Sequence, residues 1–235
     1  MTQNKNARLA GLAYLAVVIF GIISLVVIPG KFFVWNDPAA TVARIQADPL
    51  VFRLGILSSL FCYLAFTALV LLLFRLLKPV NIQGAVAMAV LAGCSVPVSV
   101  FSVHDQLNVL DLLSASSPFT SNAPTNLRVM QHLYAYKNGI FVAELFWSTW
   151  LFPLGWLIYR SGFLPRFLGA LLMVGSSGYF LHTFLLIGYP DADATLLRAL
   201  RLPASAAEIG TCLWLLIMGT RKIPGPGQTR AKEMK

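Results

Sequence analysis

Residues 127–169 read LRVMQHLYAYKNGIFVAELFWSTWLFPLGWLIYRSGFLPRFLG. The stretch is one long apolar helix with a lysine, Lys137, and a glutamate, Glu144, at membrane depth. It ends in a tight basic turn carrying Arg160 and Arg166, and a second apolar helix begins there. An apolar run needs about 20 residues to cross a bilayer core, and this one is longer. A charge inside such a run is costly and normally points toward a partner or water. The rest of the chain is expected to pack around this stretch.

Composition supports that expectation. The chain has 235 residues, of which 57% are hydrophobic and only 11% charged. A soluble domain carries about 25% charged residues, so most of this surface is not meeting water. The formal charge of +9 raises nucleic acid as a partner. That class is excluded because the cations gather at the ends of apolar runs, where membrane topology puts them. Cys62, Cys94 and Cys212 all lie inside apolar runs, with no CxxC spacing, and read as small apolar filler.

The predicted architecture is all-α, a single transmembrane domain over residues 1–222. Its six helices lie at about 9–29, 51–77, 83–110, 127–159, 166–188 and 203–220. The first run is too long for a signal-peptide core, and VVIPGKFF after it offers no small-residue cleavage site, so it reads as a retained helix. Between the first two spans, PAATVARIQA at 38–47 predicts a short surface helix, with Asp37 as N-cap and a first-turn proline. Pro97 interrupts the third helix and is expected to kink it. Its outer half turns polar: Ser95, Ser99, Ser102 and Gln106 form one helical stripe, with His104, Asn108 and Asp111 on the opposite side. Residues 113–125 are rich in Ser, Pro and Asn and read as a loop. The tail, 223–235, is basic and rich in Gly and Pro, and reads as disordered and cytoplasmic.

Charge also predicts orientation. With the N-terminus inside, the inner segments hold Lys5, Arg8, Arg75, Lys78, Arg160, Arg166, Arg221, Lys222, Arg230, Lys232 and Lys235, most of the 18 Lys and Arg. They hold one acid, Glu233, of the 9. The inner loops are short, where the positive-inside bias is strongest, so both termini are expected in the cytoplasm.

The residues that could carry chemistry are few. Lys137 and Glu144 stand two turns apart on one face, shared by Phe141, Ser148 and Gly155. Glu208 lies in the last helix, with Ala204, Ser205, Thr211 and Cys212 on its face. His182 lies in the fifth, sharing a face with Gly175, Gly178 and Tyr179. Lys137, Glu144, Tyr179, His182 and Glu208 are the candidate ligand-binding residues of one outward-opening pocket among helices four to six. The blander reading is that these charges only fix helix packing. A zinc site could be drawn from His104, Asp111, His132, His182 and Glu208, but no HExxH or comparable spacing is present. Gly175-Ser176-Ser177-Gly178 matches the short G-x-S-G of rhomboid-type intramembrane proteases. Ser177 and His182 are five residues apart, about 140° around a helix, and cannot form a dyad. Small residues there more simply permit close helix approach.

Several strings resemble one known family. ARLAGLAYL at 7–15, FRLGIL at 52–57, LLKPVN at 76–81, LYAYKNGI at 133–140 and LGWLIYRSGFLPRFLGALL at 154–172 are similar, in family order, to the multi-pass membrane proteins of domain-of-unknown-function family 4386. The most specific, YRSGFLPRFLG, resembles the family's inner turn between its fourth and fifth helices. The resemblance implies a bacterial inner-membrane protein and no established activity. Members of this type carry an acidic residue where this chain has Lys137-Asn138, so the resemblance lends Lys137 no catalytic role. Glu208 matches a glutamate of the family pattern, and the Gly-Ser-Ser-Gly serines do not belong to it.

Three functional classes follow. The first is a membrane protein that binds or moves a small molecule or lipid through the pocket, without cofactor or metal. The second is a structural or regulatory membrane protein without a ligand. The third is an intramembrane hydrolase or metal enzyme. The bilayer is the one partner the composition itself requires.

Overall fold

A computed structural model describes residues 3–114, 124–189 and 191–220. Every element among them is helical. The first span, Gln3–Phe32, consists of α1 (Gln3–Ile22), one π-helical turn (Ile23–Val27) and α2 (Ile28–Phe32). It is followed by α3 (Pro38–Ala47), α4 (Pro49–Leu77), α5 (Ile82–Leu113), α6 (Thr125–Ser161), α7 (Arg166–Gly188) and α8 (Ala194–Ile217). All but α3 belong to the 6 helices long and apolar enough to cross a membrane. The chain is a multi-pass membrane protein. Large apolar side chains such as Leu64, Phe101 and Ile187 lie fully on its surface, where lipid replaces water. The segment 223–235 and most of the loop at 113–125 lie outside the described residues.

The last helix differs from its sequence reading. It was expected to start at Pro203 and begins instead at Ala194. Asp193 caps it, its carboxylate accepting from the Thr195 and Leu196 amides at 2.5 and 3.2 Å. Pro203 then falls inside the helix. It removes one amide donor, a loss tolerated inside a bundle. The helix stops at Ile217, and Gly219, at φ +65°, turns the chain out of it.

The chain folds as two compact units. One comprises the described residues within Met1–Leu12, Leu71–Ala89 and Ser148–Lys235. Small residues bring its helices together. A Cβ on Gly155 would sit 2.6 Å from the Gly169 carbonyl oxygen, and one on Gly175 would sit 2.5 Å from Ala204 Cα. Ser176 Oγ donates to the Ser148 carbonyl at 2.7 Å, and Asn6 Nδ2 donates to that of Leu72 at 3.1 Å. Such packing and interhelical hydrogen bonding replace the hydrophobic drive that lipid does not supply. The α6–α7 turn is closed by Ser161, whose Oγ accepts from Leu164 N at 3.1 Å. Gly162 follows at φ +72°, a conformation costly for other residues.

The other unit comprises the described residues within Ala13–Val70 and Val90–Trp147. Its core includes Phe32, Ile45, Phe52, Ile56, Val103, Val129 and Leu133. Ser58 Oγ and Cys62 Sγ donate across to the carbonyls of Phe20 and Val17 at 3.0 and 3.6 Å. The surface helix α3 forms as its sequence predicts. The Asp37 side chain accepts from Ala40 N at 2.9 Å, and Pro38 occupies the first turn. Thr41 Oγ1 then accepts from Val34 N and donates to Val34 O at 2.9 and 3.0 Å, which ties α3 to the end of the first span.

Candidate functional site

The first unit brings three of the candidate residues onto the α7–α8 pair. The small face of α7 lets α8 approach closely: a Cβ on Gly178 would lie 2.5 Å from the Leu200 carbonyl oxygen. Tyr179 and His182, on the same face, are buried there, with ring centroids 6.2 Å apart. Arg201 reaches back from α8. Its guanidinium carbon lies 5.1 Å from the Tyr179 ring centroid, and Nη2 donates to the phenol oxygen at 3.4 Å. His182 is 6% exposed, and its Nδ1 has no protein partner. Glu208 is half-buried two turns along α8 from Arg201. Thr211, one turn further, is buried, and its hydroxyl oxygen likewise lacks a protein partner. A cation, a carboxylate, an imidazole, a phenol and a hydroxyl therefore stand on one pair of helices.

Lys137 and Glu144 belong to the other unit. Lys137 is exposed, its Nζ 5.0 Å from the centroid of Trp35 and 5.9 Å from that of Tyr134. Tyr134 donates its hydroxyl to the Trp35 carbonyl at 3.2 Å, so the two rings form a fixed platform beneath the ammonium. Glu144 is half-buried on the same helix.

The residues of the other two readings are also placed. Ser176 and Ser177 direct their hydroxyls to backbone carbonyls, Ser148 at 2.7 Å and Met173 at 3.2 Å. Among the described residues no three His, Cys, Asp or Glu side chains converge as a metal site requires. His132 pairs instead with Asp105, Nδ1 to Oδ1 at 2.9 Å, and His104 with Asn108 at 3.2 Å. An open cleft of about 490 Å³ lies at the start of α1, lined by Asn4, Lys5, Arg8, Leu9, Leu12 and Leu216.

With this geometry in hand, the family model described as domain of unknown function (DUF4386) matches residues 9–219. The chain belongs to that family. A curated protein of Archaeoglobus fulgidus, described as "Uncharacterized protein", is 36% identical over 61 residues, which are 26% of this chain and 38% of the relative. The chain thus spans well under half the length of that relative. No solved structure matches.

In this DUF4386 chain, sequence reasoning missed Arg201. Placing the helix start at Pro203 left Arg201 in a loop, whereas it stands seven residues before Glu208 and on its face. Asp193, two residues before Thr195, was the signal that could have moved the boundary. Trp35 was missed for a different reason. Its partnership with Tyr134 and Lys137 joins positions about a hundred residues apart, and no local pattern announces it.

Proposed function

We propose that this is a bacterial inner-membrane protein, with both termini in the cytoplasm, that binds or carries a small molecule or lipid at an outward-facing polar pocket on α7 and α8. The observation that supports this reading most is the buried His182 Nδ1, left without a protein partner beside Tyr179 and the Arg201 guanidinium. A buried polar atom of this kind costs free energy unless something satisfies it. Arg201 and Glu208 add one charge of each sign, which suits a zwitterionic or hydrogen-bonding headgroup and needs no cofactor. The orientation is supported by Arg75, Lys78, Arg160 and Arg166 at two short turns.

The test is thermal unfolding of the purified protein in the presence of zwitterionic phospholipid, anionic phospholipid and free amino acids. The wild type is stabilised by at least one of these. His182→Ala and Glu208→Gln stay folded and bind it about tenfold more weakly, about 1.4 kcal/mol. Equal responses from wild type and both variants would contradict the pocket.

For Lys137 a structural role is favoured, because its ammonium rests on the Trp35–Tyr134 platform. Lys137→Met leaves ligand-dependent stabilisation unchanged and costs about 0.5–1 kcal/mol of stability for an exposed cation–π contact, read as a lower basal melting temperature.

A further inference from the structure

The second unit contains a separate set of polar groups that the α7–α8 pocket does not involve. Tyr63 on α4, Gln106 on α5 and Tyr136 on α6 are 4%, 1% and 3% exposed. The Tyr63 and Tyr136 hydroxyls and the Gln106 Oε1 have no hydrogen-bond partner in the protein. Ser99 adjoins the Tyr63 hydroxyl and Ser59 that of Tyr136, yet neither pair closes a well-formed hydrogen bond. The serines send their own protons elsewhere. Ser59 donates to Gly55 O at 3.3 Å, Ser95 to Ala92 O at 2.7 Å, Ser99 to Ser95 O at 2.8 Å and Ser102 to Val98 O at 2.8 Å, each on its own helix. The serine oxygens are left as acceptors, the phenols as donors, and the Gln106 oxygen as a further acceptor.

We infer that the interior between α4, α5 and α6 holds ordered water, bound by Tyr63, Tyr136 and Gln106 and by the serine oxygens beside them. The occupant must accept from two phenols and donate to an amide oxygen and hydroxyls, and water does both. It is neutral, because the groups that bind it are phenols, hydroxyls and an amide oxygen, which call for no counter-charge. It is small, because a Cβ on Gly139 would already come within 2.9 Å of Ser102 Cβ, so α5 and α6 nearly touch beside it. The His132–Asp105 pair flanks the site, one turn from Tyr136 and next in sequence to Gln106.

Radiolytic hydroxyl labelling of the full chain in lipid nanodiscs tests this, because bound water generates radicals beside the groups that hold it. Tyr63 and Tyr136 become labelled despite their burial, while Phe32 and Phe52, at 0% exposure in the same unit, do not. Gln106→Leu, checked for an unchanged elution volume, loses label at Tyr136. Tyrosines as unreactive as the two phenylalanines would overturn the inference, and so would undiminished labelling of Tyr136 in a folded Gln106→Leu variant. If that variant does not fold, the wild-type labelling decides.

Discussion

Asp193 holds the first turn of α8 through two backbone amides, and those hydrogen bonds keep its carboxyl below the usual carboxylate range. Asp48 is lowered as well, first by its hydrogen bond to Lys31, whose ammonium it contacts. A carboxyl depressed in the folded state contributes stability that is fully present above its unfolded pKa. That contribution is lost as pH falls through the lower folded value. The protection of the Thr195 and Leu196 amides, measured against their intrinsic exchange rates, should therefore be high at neutral pH and fall only in acid. Asp193→Asn keeps the cap, since asparagine caps as well as aspartate, and removes the acid step. An acid step that persists in this variant would assign it elsewhere. At the surface helix α3, Asp37→Ala removes the bond to Ala40 N and costs about 1 kcal/mol, readable as increased amide exchange over 38–47.

At the scale of the element, α7 and α8 pack through backbone contact. Gly175 lies against Ala204, where an added Cβ would meet both N and Cα at 2.5 Å. Gly175→Ala therefore forces the helices apart, at a cost of about 1–3 kcal/mol, and lowers the melting temperature of the purified protein. Ser177→Ala, on the exposed side, does not. The contrast shows why part of this chain was legible in its sequence. The small face Gly175, Gly178, Tyr179, His182 follows from helical spacing alone, and so does the stripe Ser95, Ser99, Ser102, Gln106, whose members are all buried. Asp37 and Pro38 announced α3. The start of α8 was not legible by the same rules. A proline at 203 marks a boundary in water, while inside a bundle neighbouring groups let the helix continue. Arg201 and its contact with Tyr179 were lost with that boundary. The Trp35–Tyr134–Lys137 platform and the partnerless Tyr63 and Tyr136 hydroxyls depend on contacts between distant helices, which spacing along one helix cannot supply.

For the molecule as a whole, the sparse charges are placed as a bilayer requires. Six apolar helices stand among the described residues, the family match covers residues 9–219, and cations stand at the short turns. The proposed pocket needs α7 and α8 to cross the membrane with Asp193 on the outer side, and the inferred water site needs α4, α5 and α6 to be surrounded by lipid. The proposed topology would meet both requirements. Single cysteines, introduced into a chain whose own three are replaced, read it directly in intact cells with a membrane-impermeant thiol reagent. Cysteines at Asn81 and Gly162 should be protected until the cells are permeabilised, and cysteines at Asn36 and Asp191 should react at once. Labelling of Asn81 and Gly162 on opposite sides of the membrane, or of both before permeabilisation, would contradict six spans with cytoplasmic ends.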